Sequence, residues 1–385
     1  MAPDIAAVVN LHREGTAAIP SLVSALRAKE EAENMGQLVE LLIVLDRADE
    51  PTRSVANDWV ARGATIVECD EGDLGAARNT AASATTAEFV AFLDGDDLWG
   101  PSWLLRAARA ADKSVGDRPH VFHPEINVIF GDHHSLLVHR PSDHDTFSRN
   151  RLRLHNMWTA LSFMDRKVLL DWPYPRNRLD EGFGYEDWSW NLAIIDAGGS
   201  HHVVADTCHF IRRTDAGSLL ANSQHALRAP YSGPLGGRTP AGITTETVST
   251  LTPTDEDLPA THRRVQHGLS DEILSEVRQV ATIEPAITTT VNADGLPRSV
   301  PVNHNDHVTP AQRALEAIEV ARHQEPDRDL VDVLDHCEEL ASLDRATCDR
   351  VVAEVLLDHI ETGASVPDVD AGPIADALAT FPQLR

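Results

Sequence analysis

Apolar residues in the first hundred positions come in short unbroken runs, separated by stretches with helical spacing. The runs IAAVVNL (5–11), VELLIVLD (39–46), ATIVEC (64–69) and AEFVAFLD (87–94) have the length and continuity of strands buried on both faces. Between them, IPSLVSALRAKEEAE places Leu22, Ala25, Leu26 and Lys29 at helical spacing. TRSVANDWVARG is a helix closed by Gly63, and GAARNTAASAT is a third. Strand and helix alternate, which predicts an α/β fold: a mostly parallel sheet with helices on both faces. Ligands of such open sheets bind beyond the carboxyl ends of the strands. Asn10-Leu11-His12, Asp46 and Asp94 stand at those ends.

Further along, LWGPSWLLRAARAA (98–111) reads as a helix with Asp97 as its cap, and DWSWNLAIIDAGG (187–199) as another. After Tyr231 the texture changes: eighteen of the nineteen Phe, Trp and Tyr residues lie at or before that position. A Gly-, Pro- and Thr-rich stretch follows, which predicts a linker or wrapping segment over 236–265. This divides the chain into 1–235, the linker, and a helical region over 266–385. In the last region Thr309-Pro310 opens a helix as N-cap and first residue. Leu330, Leu334, Cys337 and Ala341 mark a second apolar face, and Val351, Val352, Val355, Leu356 and Ile360 a third.

The formal charge of −27 argues against nucleic acid or an anionic membrane surface as the main partner, although a local pocket can still be basic. No apolar run approaches the roughly 20 residues of a membrane span, and the N-terminus lacks the pattern of a signal peptide. Cys69, Cys208, Cys337 and Cys348 have no metal-type spacing and read as reduced thiols. A cytoplasmic protein is expected, with peripheral association at the inner membrane face as the variant.

Asp94 and Asp96, two apart across Gly95, can turn their carboxylates to one side of a tight turn and suit Mg²⁺ or Mn²⁺. The alternative is a solvated turn. Asp46 can accept hydrogen bonds from a base or ribose, or cap a turn. Arg78 can bind phosphate or sugar oxygens, or form a surface ion pair with Asp73 or Glu71. Glu186 and Asp187 open a helix and can serve as its caps. Tyr185, Trp188 and Trp190 can stack on a sugar ring or fill the core. The pairs His133-His134 and His201-His202 read as surface residues.

Together, AAVVNLHREG, VELLIVLDRADEPT, GDLGAARNTAASATTAEFVAFLDGDD and GYEDWSWNLAIIDAGG resemble, in this order, the family 2 glycosyltransferases of the GT-A fold. The resemblance spans residues 5 to about 225. It implies an inverting, metal-dependent transferase with a nucleoside diphosphate sugar donor (UDP-, GDP- or dTDP-linked). The acceptor would be a hydroxyl of a saccharide, a lipid-linked molecule or a small molecule. On this resemblance Asp187 is the base, with Glu186 beside it. Asp94 and Asp96 hold Mn²⁺ or Mg²⁺ with His209 as a third ligand. Asn10, His12, Glu14, Asp46, Arg78, Asp94, Asp96, Arg212 and Arg213 contact the donor, and Tyr185, Trp188 and Trp190 face the acceptor. Only Asp46 of the family's second-strand acidic motif carries over, because the chain reads LDRAD there. No Gln-x-x-Arg-Trp signature is present, which favours single addition over polymerisation. The rival readings are a degenerate GT-A binding or assembly module and, less well matched, a nucleotidyltransferase. The exposed C-terminal helices are expected to pair in a homo-oligomer.

Overall fold

The computed structural model of the chain describes residues 2–114, 118–144, 147, 149, 152, 155–214, 230, 269–290, 302–304, 310–324, 328, 330–343, 348, 351–352 and 355. The expected strands form at the expected places: β1 (Ile5–Leu11), β2 (Val39–Asp46), β3 (Ala64–Cys69) and β4 (Phe89–Asp94). They pair in parallel in the order β3-β2-β1-β4. Helices α1 (Ala18–Asn34), α2 (Glu50–Val60) and α3 (Leu74–Ala84) connect them.

Alternation along β1 divides its neighbours. Ile5, Ala7, Val9 and Leu11 pack with α1 and α2, whereas Ala6 and Val8 pack with α3. Both faces are therefore covered, which is why these strands carry no regular polar alternation. Chain order reverses beside β1, with β2 on one side and β4 on the other. Residues Asn10 and Asp94 sit opposite each other at that switch point.

Past β4 the sheet becomes mixed. Strands β5 (Leu98–Trp99), β6 (His120–Gly131), β7 (Ser135–Val138), β8 (Phe163–Asp165) and β9 (Ser200–Arg213) extend it, with α4 (Trp103–Ala111), α5 (Arg166–Asp171) and α6 (Glu186–Asp196) packed around it. β8 joins β4 to β6 by antiparallel pairing, and β9 runs parallel to β6. This is the α/β architecture expected of a GT-A fold.

Two expectations fail here for tertiary reasons. Leu98 and Trp99 do not begin a helix; they pair with Phe210 and His209 of β9, so α4 starts five residues later. Asp97 accordingly caps no helix, and its carboxylate accepts the Arg212 backbone N–H at 2.8 Å. His201 and His202 are not surface residues. His201 is fully buried, its ring stacked on Trp158 at 3.9 Å, and His202 stacks on Phe122. His133 and His134 are exposed, as expected.

The described part of the C-terminal third is largely helical: α7 (Asp271–Ala281), α8 (Pro310–Gln324), α9 (Leu330–Asp335) and α10 (Glu338–Ala341), with a short strand β10 (Val302–His304) beside β7. The proposed linker, Thr309, Leu356 and Ile360 lie outside the described residues. Helix α7 docks directly on the sheet. Its Ile273, Leu274, Val277 and Val280 bury against Leu98, Ile126, Val128, Phe130 and Phe210. Glu276, on the same helix, accepts the N–H of Ser102 at 2.9 Å and of Cys208 at 3.3 Å. Gly100 leaves room for this, since a Cβ there would lie 2.0 Å from the Glu276 carboxylate. Helices α8 to α10 share a separate cluster built on Leu315, Ile318, Leu330, Val333, Leu340, Val351 and Val355. Ala341 is exposed, because the helix breaks between α9 and α10 and resets the spacing.

If α7 is part of the sheet's core, Ile273→Ala should cost about 2–4 kcal/mol, the usual range for a large-to-small change at a buried site. Denaturant unfolding followed by tryptophan fluorescence would measure it. An unchanged midpoint would mean the helix adds nothing to the sheet's stability.

Candidate functional site

The site forms beyond the carboxyl ends of β1, β2 and β4. At the end of β4, Ser21 Oγ donates to the Gly95 carbonyl at 2.9 Å and the Asp97 N–H returns to the Asp94 carbonyl, making a tight turn. Gly95 is needed there for space: a Cβ would fall 2.9 Å from the Asn10 carbonyl and 2.6 Å from Leu11 Cδ2. The turn carries Asp94, Asp96 and Asp97 against the loop after β1, which contributes Glu14.

Arg78 of α3 organises the centre. Its side chain is fully buried, with Nη2 at 2.8 and 3.1 Å from the two Asp94 oxygens and Nη1 at 3.1 Å from Glu186 Oε1. The surface ion pair with Asp73 or Glu71 does not occur. Asp73 instead caps α3 through Ala76 N–H and accepts the Asn177 N–H, while Glu71 pairs with Arg176. Asn177 also donates to Glu186 Oε2 at 3.0 Å, so both oxygens of that carboxylate are engaged. Gly75 permits this packing, because a Cβ there would meet Glu186 and Tyr174 at 3.0 Å.

Asp187, the next residue, is only partly buried and accepts Asn156 Nδ2 at 2.9 Å. Its carboxyl is pushed up to about 7, first by loss of solvent and then by Glu186. Burial, followed by Asp94 and Glu14, raises Asp96 to about 6. Asp97 is raised by burial and then by Asp96 and Asp94. Glu14 is raised by burial, against the lowering effect of the His12 N–H. Anionic charge thus exceeds what Arg78 neutralises. Asp94, held by Arg78, and the half-buried Asp96 form a hard-oxygen set that fits Mg²⁺ or Mn²⁺ once phosphate oxygens and water complete the shell. Among the described residues no three His, Cys, Asp or Glu side chains gather as a closed metal site.

The remaining expected residues are distributed unevenly. Asn10 is 5% exposed and neither its Oδ1 nor its Nδ2 has a partner, so a buried carboxamide with full hydrogen-bonding capacity stands beside Asp94. Asp46 Oδ1 accepts the N–H groups of Glu71 and Gly72, and His12 Nδ1 lies 2.6 Å from the Asp46 carbonyl. Gly72 has φ +59, a conformation that favours glycine. Arg213 lies near Asp97 and Asp187, and burial lowers its pKa. The Arg212 guanidinium pairs with Glu284 at 2.6 Å and lies over the Phe130 ring. His209 is not brought to the aspartates: its ring packs edge-on to Trp103 at 4.5 Å, and both ring nitrogens are buried without partners. Trp190 is a core residue, stacked on Tyr174 and donating to the Trp172 carbonyl. Trp188 is half-buried, with Tyr185 edge-on at 5.7 Å.

The model of the family described as Glycosyl transferase family 2 matches residues 7–171. The chain carries a family 2 glycosyltransferase domain. The matched range runs from β1 to α5 and includes Arg78 and the Asp94–Asp97 turn, so the domain is that of an enzyme of glycosyl transfer. No curated protein matches the chain in sequence. Among solved structures it aligns with S. aureus TarS. Residues 1–349 of that protein in complex with UDP-GlcNAc align at 13% identity, over 99% of this chain and 92% of that one, with a TM-score of 0.44. The crystal structure of TarS 1–349 aligns at the same identity and coverage with a TM-score of 0.42. A third TarS structure aligns at 13% identity over 98% of this chain and 55% of its own, again with a TM-score of 0.42.

Within this glycosyltransferase, Asn156, Asn177, Tyr174 and Glu284 were not visible as site residues in the sequence. They sit on loops whose residue types carry no signal by themselves. Asn191 could have been suspected, since it lies four residues after Asp187 on the same helix face.

Two outcomes follow from the charges. Arg78→Met should destabilise the glycosyltransferase by about 3–5 kcal/mol, because it leaves Asp94 and Glu186 without their cation; urea unfolding reads this directly. Asp187 titrates near 7 in the fold, against about 3.9 for an unfolded chain. The folded state therefore holds the extra proton, and this contribution makes stability fall as pH rises from about 4 to about 7. Asp187→Asn should raise the melting temperature more at pH 8 than at pH 5. An equal change at both would show that burial does not perturb Asp187.

Proposed function

We propose that the protein is a metal-dependent, inverting glycosyltransferase that moves a sugar from a nucleoside diphosphate sugar to an acceptor hydroxyl. The observation that carries this reading is the Asp94–Arg78–Glu186 bridge. It ties Asp94, whose turn would hold a cation, to Glu186, the residue before the Asp187 carboxyl that is pushed up to about 7. A base with a pKa near neutrality is in its working range at physiological pH.

Asp187 takes the proton of the acceptor hydroxyl as its oxygen attacks the anomeric carbon. The bond to the diphosphate breaks on the opposite face, and the electron pair leaves with the nucleoside diphosphate. One displacement inverts the anomeric centre. Asp96 and Asp94 would hold Mg²⁺ or Mn²⁺, which when bound supplies Lewis-acid stabilisation of the leaving diphosphate. Arg213 adds fixed positive charge on that side. Asn10, His12, Glu14 and Asp46 line the donor side at the strand ends, where the partnerless Asn10 carboxamide offers a donor and an acceptor. Arg78 acts from beneath the surface by holding Asp94, and Arg212 approaches the donor from its Glu284 pair. Tyr185 and Trp188 remain on the acceptor side; Trp190 supports them from the core.

A thermal-shift series with UDP, GDP and dTDP, each with and without Mn²⁺, tests the donor and the metal together. One nucleotide should stabilise the protein more with Mn²⁺ than without. Asp96→Ala should remove that increment. Asp187→Ala should keep it while lowering transfer from the matching nucleotide sugar by about 10²–10⁴-fold. Full transfer activity in either variant overturns the proposal.

A further inference from the structure

The loop carrying Asn156 precedes β8 in the chain, yet it reaches Asp187 with a hydrogen bond whose direction is determined. The Trp158 backbone carbonyl can only accept, so the Asn191 group 3.4 Å from it is the NH₂ end of that amide. The same NH₂ lies 3.0 Å from Asn156 Oδ1, which makes that atom the acceptor. The other end of Asn156, Nδ2, must then donate to Asp187 Oδ2 at 2.9 Å. Asn191 is 2% exposed and sits one helical turn after Asp187 on α6, so the anchoring end of the chain of bonds is buried. Flipping Asn156 would set an oxygen against the carboxylate and two NH₂ groups against each other.

We propose that Asn156, locked by Asn191 and the Trp158 carbonyl, is a positioning residue that aims an N–H donor at Asp187 and holds it as an oriented carboxylate. The inference rests on the reading of Asp187 as the base of the transfer. Its consequence is a counterweight. Glu186 on the same helix pushes Asp187 towards its neutral form, as does burial. Arg78 from α3, the Trp188 N–H and Asn156 favour the ionised form, and Arg213 from β9 faces it as a further cation. The Tyr174 hydroxyl lies within the same field. Of these groups, Asn156 alone belongs to the loop before β8, so that loop sets part of the basicity of Asp187.

Carboxyl ¹³C NMR titration of the full chain labelled on aspartate tests this without a substrate. The Asp187 signal, identified by its loss in Asp187→Asn, should titrate near 7 in the native protein. It should move up by about one pH unit in Asn156→Ala, the scale of one lost hydrogen bond to a carboxylate. Asn156→Ser, which keeps a hydroxyl donor, should return part of the shift. Asn191→Leu, of similar size but with neither the NH₂ group nor a charge, should also raise the midpoint and decides the matter if Asn156→Ala does not fold. An unmoved midpoint in Asn156→Ala and Asn191→Leu overturns the positioning role alone. Full transfer activity in Asp187→Asn overturns the base reading, and this inference with it.

Discussion

A single buried guanidinium holds the two acidic motifs of this protein in one site. Arg78 reaches Asp94 at the end of β4 and Glu186 at the start of α6, and no part of its side chain meets solvent. Burying a cation is costly unless carboxylates meet it with good geometry, and each carboxylate is equally costly without the cation. The three groups are therefore mutually dependent. Gly75 on α3 permits the close approach of Glu186, Gly95 lets the Asp94 turn lie against the loop after β1, and Asn177 engages the second oxygen of Glu186.

The bridge also divides labour among four neighbouring acids. Asp94 and Glu186 pair directly with Arg78, whereas Asp96 and Asp187 make no such pair and have raised proton affinity. Carboxylates that are crowded, partly buried and short of cations are costly to the fold, yet they are the ones able to attract a metal ion or take a proton. The Asn10 carboxamide, buried without a hydrogen-bond partner, is a further unsatisfied polar group beside them.

Packing of α7 on the sheet extends the core of the α/β unit beyond the point where composition suggests that it ends. Glu276 ties the start of α4 to β9, and Glu284 holds the guanidinium of Arg212 while the Arg212 N–H satisfies Asp97. A segment that begins 58 residues past the end of β9 thereby supports the turn that carries Asp94 and Asp96. The change in aromatic content near residue 231 reflects chain texture, whereas the core follows the docked apolar face of Ile273, Val277 and Val280.

Local sequence sufficed for the β-α-β-α-β framework, because unbroken apolar runs and helical spacing are properties of neighbouring residues. Strand ends then located Asn10, Asp46 and Asp94, and the ordered motifs pointed to family 2 and to Asp187. Long-range pairing decided the rest. Leu98 and Trp99 have helix-compatible neighbours, but β9 claims them as a strand. Trp190 has the composition of a sugar platform but lies in the core. His209 and His201 look like surface or ligand residues, yet the sheet buries both. Arg78 shows the division most clearly: its residue type announced a carboxylate or phosphate partner, but which carboxylates depended on helices and strands brought together across about a hundred residues. Residue chemistry states what a group can bind, and only the packed chain decides what stands within reach.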